Sequence, residues 1–250
     1  MNLAANEKSI GFIGAGIMGA SLIRGLLNSS IKANQIYISE KNLERATEVT
    51  SQFSVENLSL SQITQKCEVI FLSVKPQDLE NVLKEISGSL KNDALLISIA
   101  AGKTSNFIEG LLKSKNPVVR VMPNTPAQIG KGVSVISAGT FATKADLDLT
   151  KELLSSTGLV IEVEESQQDA VTAVSGSGPA YFFSFVESMI KSGVKLGLSE
   201  EIATKLAIGT IVGSAAMLQE SGIDAATLRK NVTSPNGTTA AALEVFSKKK

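Results

Sequence analysis

The sequence contains no histidine and no tryptophan, and it has a single cysteine among 250 residues. Without histidine, one chain cannot build a Ser-His-Asp or Cys-His nucleophile, a histidine-ligated zinc site or an imidazole proton shuttle. We therefore expect no metal site. Any catalysis must rely on hydroxyls, lysines, carboxylates, backbone amides or a bound cofactor.

Charge of one sign and long apolar N-terminal runs are also missing. The 24 Lys and Arg residues balance the 24 Asp and Glu residues, so no electrostatic attraction to nucleic acid or to an anionic membrane surface is expected. The first residues, MNLAANEKSIGFIGAG, hold no apolar run of signal-peptide or membrane-spanning length. The lone Cys67 excludes a disulfide framework, and burial as a small hydrophobic residue is its expected role. We expect a cytoplasmic protein without nucleic-acid or membrane partners.

The chain changes character at about Ser166. Residues 9–163 alternate short β-branched runs with helical periods, which is the pattern of βαβ units that build a parallel sheet. Strands are predicted at Ser9–Ile13, Gln35–Ser39, Val69–Val74, Leu95–Ile99, Pro117–Met122, Val133–Ser137 and Leu159–Val163, with room for a short one near Phe53–Glu56. The predicted fold class is α/β, with a Rossmann-type dinucleotide-binding domain (1–164) followed by an all-helical domain (165–250).

The helical part contains one segment that is apolar nearly all round. It spans Ser199–Gln219, where apolar residues occupy most sides of the helix. A helix of this kind is expected to be buried, and a part of only about 85 residues has a small core of its own. We therefore expect a second subunit to cover it.

A G-x-G-x-x-G fingerprint follows the first predicted strand, at Gly14, Gly16 and Gly19. Gly14 would permit the tight turn, Gly16 would let the backbone approach a pyrophosphate, and Gly19 would let the helix lie close to the sheet. A glycine-rich turn without a ligand is the alternative. Because a strand, a helix and a second strand stand in the expected places, the context favours dinucleotide binding.

The end of the second strand should select the cofactor. There the sequence Ser39-Glu40-Lys41-Asn42 offers both an acid for ribose hydroxyls and a cation for a 2′-phosphate. Glu40 favours NAD, whereas Ser39, Lys41 and Asn42 could hold a phosphate. The choice between NADPH and NADH therefore stays open.

Three more loops follow predicted strands and reach the same edge of the sheet. Ser73–Pro76 and Ala100–Gly102 have small residues that suit contact with a nicotinamide ribose, although Lys75 could equally be an ordinary exposed lysine. In the loop Met122–Pro126, two prolines should hold Asn124 and Thr125 rigidly at the sheet edge.

Two loops of the helical part run into helices. Ser175–Tyr181 (SGSGPAY) would present backbone amides to an anion, or its small residues would permit a close helix crossing. Val232–Thr239 (VTSPNGTT) has amides and hydroxyls that would bind a carboxylate, with plain helix capping as the alternative. Two such loops in one domain favour an anionic substrate.

Together the segments GFIGAGIMG, VKPQ, SIAAG, RVMPNTPA, AVSGSGPAYFF and VTSPNGTTAAALEVF resemble the pyrroline-5-carboxylate reductase family, in this order and over nearly the whole chain. The resemblance implies reduction of 1-pyrroline-5-carboxylate to L-proline, the last step of proline biosynthesis, with NADPH or NADH. It also implies a helical dimerisation domain and a homodimer or higher homo-oligomer.

The resemblance and the loops above together assign the site residues. The cofactor set is Ile13, Gly14, Ala15, Gly16, Ile17, Met18, Gly19, Ser39, Lys41, Asn57, Ser73, Val74, Lys75, Pro76, Ala100, Ala101 and Asn124. The substrate set is Glu165, Ser175, Gly176, Ser177, Gly237, Thr238 and Thr239. Within it, the amides of Gly237–Thr239 would hold the substrate carboxylate, and Thr239 would be the catalytic residue that serves the ring nitrogen.

The sequence departs from the family pattern in two places. Asn236 stands where the family usually has the first of two glycines, and asparagine tolerates a positive φ better than most residues. The family pattern also continues for roughly one more helix beyond Lys250. Two alternatives remain beside the reductase: a related imine or 2-oxo-acid reductase, and a non-catalytic NADP(H)-binding regulatory module.

Overall fold

A computed structural model describes residues 4–248. The chain divides into two compact units, residues 1–179 and residues 180–250. The domain boundary predicted after residue 164 lies earlier in the chain than this division. Residues 165–179 belong to the first unit because polar side chains there, such as Gln168 and Glu165, bond to the sheet region.

The first unit contains one sheet of eight strands. The strands are β1 (Ile10–Ile13), β2 (Ile36–Ser39), β3 (Glu56–Asn57), β4 (Val69–Leu72), β5 (Leu95–Ser98), β6 (Val118–Met122), β7 (Gly132–Ala138) and β8 (Gly158–Glu162). The helices are α1 (Ile17–Leu27), α2 (Leu43–Phe53), α3 (Leu60–Lys66), α4 (Leu79–Ile86), α5 (Ser105–Glu109), α6 (Lys144–Leu154), α7 (Gln168–Val171), α8 (Gly178–Lys195), α9 (Glu200–Glu220), α10 (Ala225–Asn231) and α11 (Thr238–Lys248). Each predicted strand is present, including the short one.

The strand order β3-β2-β1-β4-β5-β6-β7-β8 reverses direction between β1 and β4. All pairs from β3 to β6 are parallel, as predicted, but β7 runs antiparallel to β6. The connection between these two strands is only a 3-10 turn, Thr125–Ile129, ended by Gly130 at φ 70°. A parallel return needs a crossover of a dozen or more residues, so this short turn sends the chain back antiparallel.

The central strands of the sheet are buried on both faces by two apolar clusters. On one face Phe12 of β1 stacks on Phe71 of β4 with ring centroids 4.5 Å apart. On the other face Cys67 packs against β1, where a Cβ added to Gly11 would lie 2.9 Å from its Sγ atom. Strands buried on both faces explain the continuous Val, Ile and Leu runs of this sequence. Cys67 is the small buried hydrophobic residue that the sequence predicts.

The second unit consists of the helices from Ala180 onwards, with most of their large apolar side chains exposed. Ser199 caps α9 by accepting a hydrogen bond from the N–H of Ile202 at 3.3 Å. Only Ala203 and Ala207 are buried among the residues of α9. Exposed apolar side chains include Phe182, Phe183, Leu206, Val212, Met217 and Phe246. Monomeric proteins rarely expose large apolar patches, so this number of exposed apolar side chains in one small unit is typical of an interaction domain.

Candidate active site

The glycine fingerprint forms the turn between β1 and α1. Gly14 has φ 89°, and a Cβ there would lie 2.8 Å from the carbonyl oxygen of Ser73. A Cβ on Gly19 would lie 3.0 Å from the carbonyl oxygen of Gly14, whereas a Cβ on Gly16 would find no atom within 4 Å. The turn is therefore tight at Gly14, closely packed at Gly19 and open at Gly16, which is the arrangement predicted for a pyrophosphate loop.

Ser73, which follows β4, fastens this turn from the neighbouring strand. Its hydroxyl donates to the carbonyl oxygen of Gly14 at 2.6 Å and to that of Ile13 at 3.2 Å. Its backbone N–H also donates to Ile13 at 2.9 Å. The Ser73 hydroxyl is thus directed at the backbone of the turn, and its close approach explains why positions 14 and 19 must be glycine.

Two charged side chains after β2 hold Ala15 at both of its backbone groups. Glu40 Oε2 accepts a hydrogen bond from the N–H of Ala15 at 2.8 Å, and Arg45 Nε donates to the carbonyl oxygen of Ala15 at 2.7 Å. The other oxygen of Glu40 accepts from the N–H of Asn42 at 2.9 Å. Asn57 Oδ1 in turn accepts from the N–H of Glu40 at 3.0 Å. Glu40, the residue that favoured NAD, is therefore a brace of the glycine turn.

A cleft of about 410 Å³ opens at the carboxyl ends of β1, β2 and β4. This is where the strand order reverses, which is where open α/β sheets bind their ligands. The cleft is lined by Ile13, Gly14, Gly16, Ser39, Glu40, Lys41, Leu60, Ser73, Val74, Lys75, Asp78, Asn81 and Val82. The first backbone N–H groups of α1 lie at the same edge, and a helix N-terminus favours an anionic group. The cleft therefore suits a dinucleotide.

The other predicted cofactor residues do not line this cleft. They are Ala15, Ile17, Met18, Gly19, Asn57, Pro76, Ala100, Ala101 and Asn124. Ala15 is fully buried behind the turn, and Ala100 and Asn124 are buried at the ends of β5 and β6. Their roles as cofactor ligands stay predictions.

Some cleft residues were missed from the sequence. Leu60 lies at the start of α3, and Asp78, Asn81 and Val82 lie at the start of α4. These residues lie on helices, whereas the predicted residues lie in loops that directly follow strands. The first turn of the helix after Ser73–Pro76 is the signal that would have found three of them.

Glu165, a predicted substrate residue, is held by a polar cluster. Its carboxylate accepts hydrogen bonds from the N–H and the hydroxyl of Ser105 at 2.7 and 2.5 Å, and from Arg120 at 3.3 Å. The Arg120 side chain is only 6% exposed, and it also pairs with Asp169 at 3.8 Å. About a quarter of the Glu165 side chain stays exposed. The carboxylate is therefore fixed in place and accessible on one side.

Ser175, Gly176 and Ser177 lie in and directly after a π-helical turn, Thr172–Gly176, that leads into α8. The N–H of Ser177 donates to the carbonyl oxygen of Thr172 at 2.8 Å, which is the wider hydrogen bond of a π-turn. Such turns are rare and frequently mark functional sites. The structure therefore brings three of the predicted substrate residues together in one irregular turn.

The remaining predicted substrate residues lie in the second unit, where α11 begins at Thr238. Asn236 has φ 58°, so it adopts the left-handed conformation that asparagine was expected to tolerate at this position. The N–H of Gly237 donates to the carbonyl oxygen of Ser234 at 3.1 Å and closes the turn. Gly237, Thr238 and Thr239 thus form the amide-rich start of a helix, an arrangement that suits a carboxylate.

Comparison with known proteins identifies the family. Residues 165–250 match the sequence model described as pyrroline-5-carboxylate reductase dimerisation, and residues 9–102 match that described as NADP oxidoreductase coenzyme F420-dependent. The pyrroline-5-carboxylate reductase of Corynebacterium melassecola is 41% identical over 239 residues, which cover 94% of this chain and 88% of that protein. The chain belongs to the pyrroline-5-carboxylate reductase family.

Solved structures of the same family agree with this fold. The pyrroline-5-carboxylate reductase of Coxiella burnetii superposes with a TM-score of 0.88 at 33% identity and covers 97% of this chain and 91% of its own. The pyrroline carboxylate reductase of Plasmodium falciparum, solved with NADP bound, has a TM-score of 0.87 at 33% identity and covers 98% and 91%. A Rossmann-type domain followed by a helical dimerisation domain is therefore the correct fold class.

Membership of the reductase family gives the exposed apolar helices a physical reason. By length and composition alone, α9 could cross a membrane, since an 18-residue stretch within its 21 residues has a mean hydropathy of 1.3. Only 11% of that stretch is buried. The match to a dimerisation region supports a homo-oligomer, in which such a surface packs against protein. Among residues 4–248, no group of acidic or cysteine side chains is arranged to hold a metal ion.

Proposed function

We propose that this protein reduces 1-pyrroline-5-carboxylate to L-proline with NADPH, the last step of proline biosynthesis. The observation that carries the proposal is the glycine turn, open at Gly16 beside a 410 Å³ cleft, in a chain 41% identical to a pyrroline-5-carboxylate reductase over 94% of its length. The absence of histidine agrees with it, because the hydride comes from a cofactor.

The residues of the cleft fit a dinucleotide. The diphosphate would meet the backbone of Gly14–Gly19, because Gly16 leaves the approach open and the start of α1 offers unpaired N–H groups. Ser73–Pro76 and Ala100–Ala101 would flank the nicotinamide end. Bound NADPH supplies a hydride from its nicotinamide ring to the carbon of a C=N bond. Holding the reactants in near-contact geometry can lower the activation free energy by several kcal/mol, roughly 7–11 kcal/mol in the best cases.

The preference for NADPH rests on the end of β2. Ser39, Glu40 and Lys41 all line the cleft, but the carboxylate of Glu40 already accepts two backbone hydrogen bonds. A lysine there would attract a 2′-phosphate. Lys41→Ala is expected to raise the KM for NADPH about 10-fold and leave the KM for NADH unchanged. An equal rise for both cofactors would contradict this assignment.

The substrate carboxylate is assigned to the start of α11. There the N–H groups of Gly237, Thr238 and Thr239 would hold it. Those of Thr238 and Thr239 have no helical partners of their own, and that of Gly237 would share its hydrogen bond to Ser234 with the carboxylate. The Thr239 hydroxyl would serve the ring nitrogen, which gains a proton as its carbon gains the hydride. Glu165 and Ser175–Ser177 are assigned to the same substrate by the family resemblance. These residues orient the ring and exclude water while the cofactor provides the reducing equivalent.

The proposal extends to assembly and location. We assign a homodimer or higher homo-oligomer that forms through the helical domain. This domain is taken to begin at residue 165, where the match to the dimerisation model begins, although the compact units divide after residue 179. Light scattering is expected to give at least twice the chain mass of 26.2 kDa. A monomer at micromolar concentration would contradict it. The cytoplasm remains the expected compartment.

Thr239 variants test the chemistry. With racemic 1-pyrroline-5-carboxylate, we expect Thr239→Ala to lose about 100-fold in kcat and Thr239→Ser to recover most of it, because serine keeps the hydroxyl. NADPH binding serves as the control and should be unchanged in both. Turnover of acyclic imines or 2-oxo acids together with indifference to Thr239→Ala would instead indicate a related reductase. Intact NADPH binding with no turnover of any substrate would indicate a non-catalytic module.

A further inference from the structure

The side-chain amide of Asn124, predicted above as a cofactor residue, is hydrogen-bonded to the protein backbone. It follows β6 in the rigid loop Met122–Pro126 and is only 7% exposed. Its Oδ1 accepts a hydrogen bond from the N–H of Val133 at 2.8 Å, and its Nδ2 donates to the carbonyl oxygen of Ser175 at 3.1 Å. One buried amide therefore joins the end of β6, the start of β7 and the π-helical turn.

The carbonyl of Ser175 needs this donor for a reason visible in the sequence. In an α-helix it would accept from the N–H of residue 179, but position 179 is proline, which has none. Ser175 is half-buried, and a carbonyl shielded from water without a donor costs up to about 1–3 kcal/mol. Asn124 supplies the missing hydrogen bond and so replaces the partner that Pro179 removes.

A second contact from the same loop fixes the neighbouring residue. A Cβ added to Gly176 would lie 2.5 Å from Cε of Met122, so the turn rests directly on the Met122 side chain. Met122 and Asn124 thus hold Ser175 and Gly176 from two points of one short loop whose prolines restrict its motion. Both contacts lie within the first unit.

We propose that Asn124 is a positioning residue that fixes the Ser175–Ser177 turn for substrate binding, and that it is not a ligand of the cofactor. This inference rests on the proposed function, in which Ser175–Ser177 contact the substrate. In this inference, the Met122–Pro126 loop links the Ser175–Ser177 turn to the sheet and restricts the motion of that turn. A displacement of about 1 Å in such a turn can cost on the order of 100-fold in rate.

The test compares Asn124→Asp with Asn116→Asp. Aspartate at 124 keeps the oxygen that serves Val133 but places an oxygen against the Ser175 carbonyl. Asn116 is a matched control, because it is fully buried and its Nδ2 also donates to backbone carbonyls, those of Lys91 and Ala94, at 2.7 and 2.9 Å. Both variants lose a buried donor, but only one of them touches the substrate turn.

We expect Asn124→Asp to lower kcat/KM for 1-pyrroline-5-carboxylate about 10- to 100-fold while the Kd for NADPH stays within about twofold of wild type. Hydrogen exchange of the Ser177 amide should become about 10-fold faster than in Asn116→Asp. A raised Kd for NADPH, or exchange at Ser177 equal to that of the control, would overturn the inference. Because the exchange measurement needs no turnover, it decides the positioning role even if the wild-type protein fails to reduce this substrate.

Discussion

Replacing Gly16 by alanine tests whether the open side of the glycine turn receives a diphosphate. Gly16 has φ −62° and ψ −170°, a conformation that alanine adopts without strain. The added methyl group would meet no protein atom within 4 Å. We therefore expect Gly16→Ala to fold normally, with a melting temperature within about 2 °C of wild type.

The same methyl group would occupy the space through which a phosphate approaches the backbone. Losing one charge-assisted hydrogen bond costs about 1.5–3 kcal/mol, which corresponds to a rise of about 10- to 150-fold in Kd. Titration calorimetry with NADPH measures this rise directly. The perturbation thus separates binding from folding, because only the ligand meets the new atom.

Gly14→Ala is the matched control with the opposite signature. Alanine at φ 89° costs about 1–2 kcal/mol, and its Cβ would press on the Ser73 carbonyl oxygen, 2.8 Å away, for about 1–3 kcal/mol more. A total of roughly 2–5 kcal/mol should lower the melting temperature by about 4–20 °C. Wild-type NADPH affinity in Gly16→Ala would refute the placement of the diphosphate, and a similar thermal loss in both variants would refute the contrast between the two glycines.

Three further predictions concern single side chains. Glu40→Gln turns one acceptor into a donor that faces a backbone N–H. Steady-state kinetics should therefore show the KM for NADPH and the KM for NADH rising together, about 5- to 30-fold. A rise in the KM for NADH alone would make Glu40 a ribose ligand instead. Arg120→Met leaves the Glu165 carboxylate without its cation. Urea unfolding should show that the free energy of unfolding falls by roughly 2–4 kcal/mol. A fall of less than about 0.5 kcal/mol would contradict a stabilising role of this polar cluster. Burial raises the pKa of the Cys67 thiol from 9.0 to about 12, so a thiol reagent at about pH 8 should label only the unfolded chain. Stability should fall as pH rises above about 9, because the unfolded state then loses its proton first; rapid labelling of the folded protein would contradict this.

Most of the sheet could be predicted because its strands are buried on both faces. Runs such as Val69–Leu72 and Ala94–Ile97 are continuous apolar segments, which neither an amphipathic helix nor a loop explains. The direction of β7 was predicted wrongly, because the pattern of residues 9–163 indicated a parallel sheet and β7 runs antiparallel to β6. That direction depends on the short turn with Gly130 at positive φ, and the apolar pattern of a strand carries no information about the length of the connection before it.

The cleft could be predicted in part, because the carboxyl ends of parallel strands meet at one edge. Five lining residues could be predicted for that reason: Gly14, Gly16, Ser39, Lys41 and Ser73. Long-range hydrogen bonds carry no local pattern, so the sequence could not show how other residues are used. Asn124 and Ser175 stand 51 positions apart, and Arg45 reaches Ala15 over 30.

The central claim is that a hydride passes from NADPH to the imine carbon of 1-pyrroline-5-carboxylate on this chain. Purified protein can be incubated with NADPH deuterated at the transferred position of the nicotinamide C4, and the product analysed by mass spectrometry and chiral chromatography. The account predicts L-proline that carries one deuterium at the former imine carbon, formed in equal amount to the NADPH consumed. NADPH consumption without deuterated L-proline, or no consumption although NADPH binds, would contradict it.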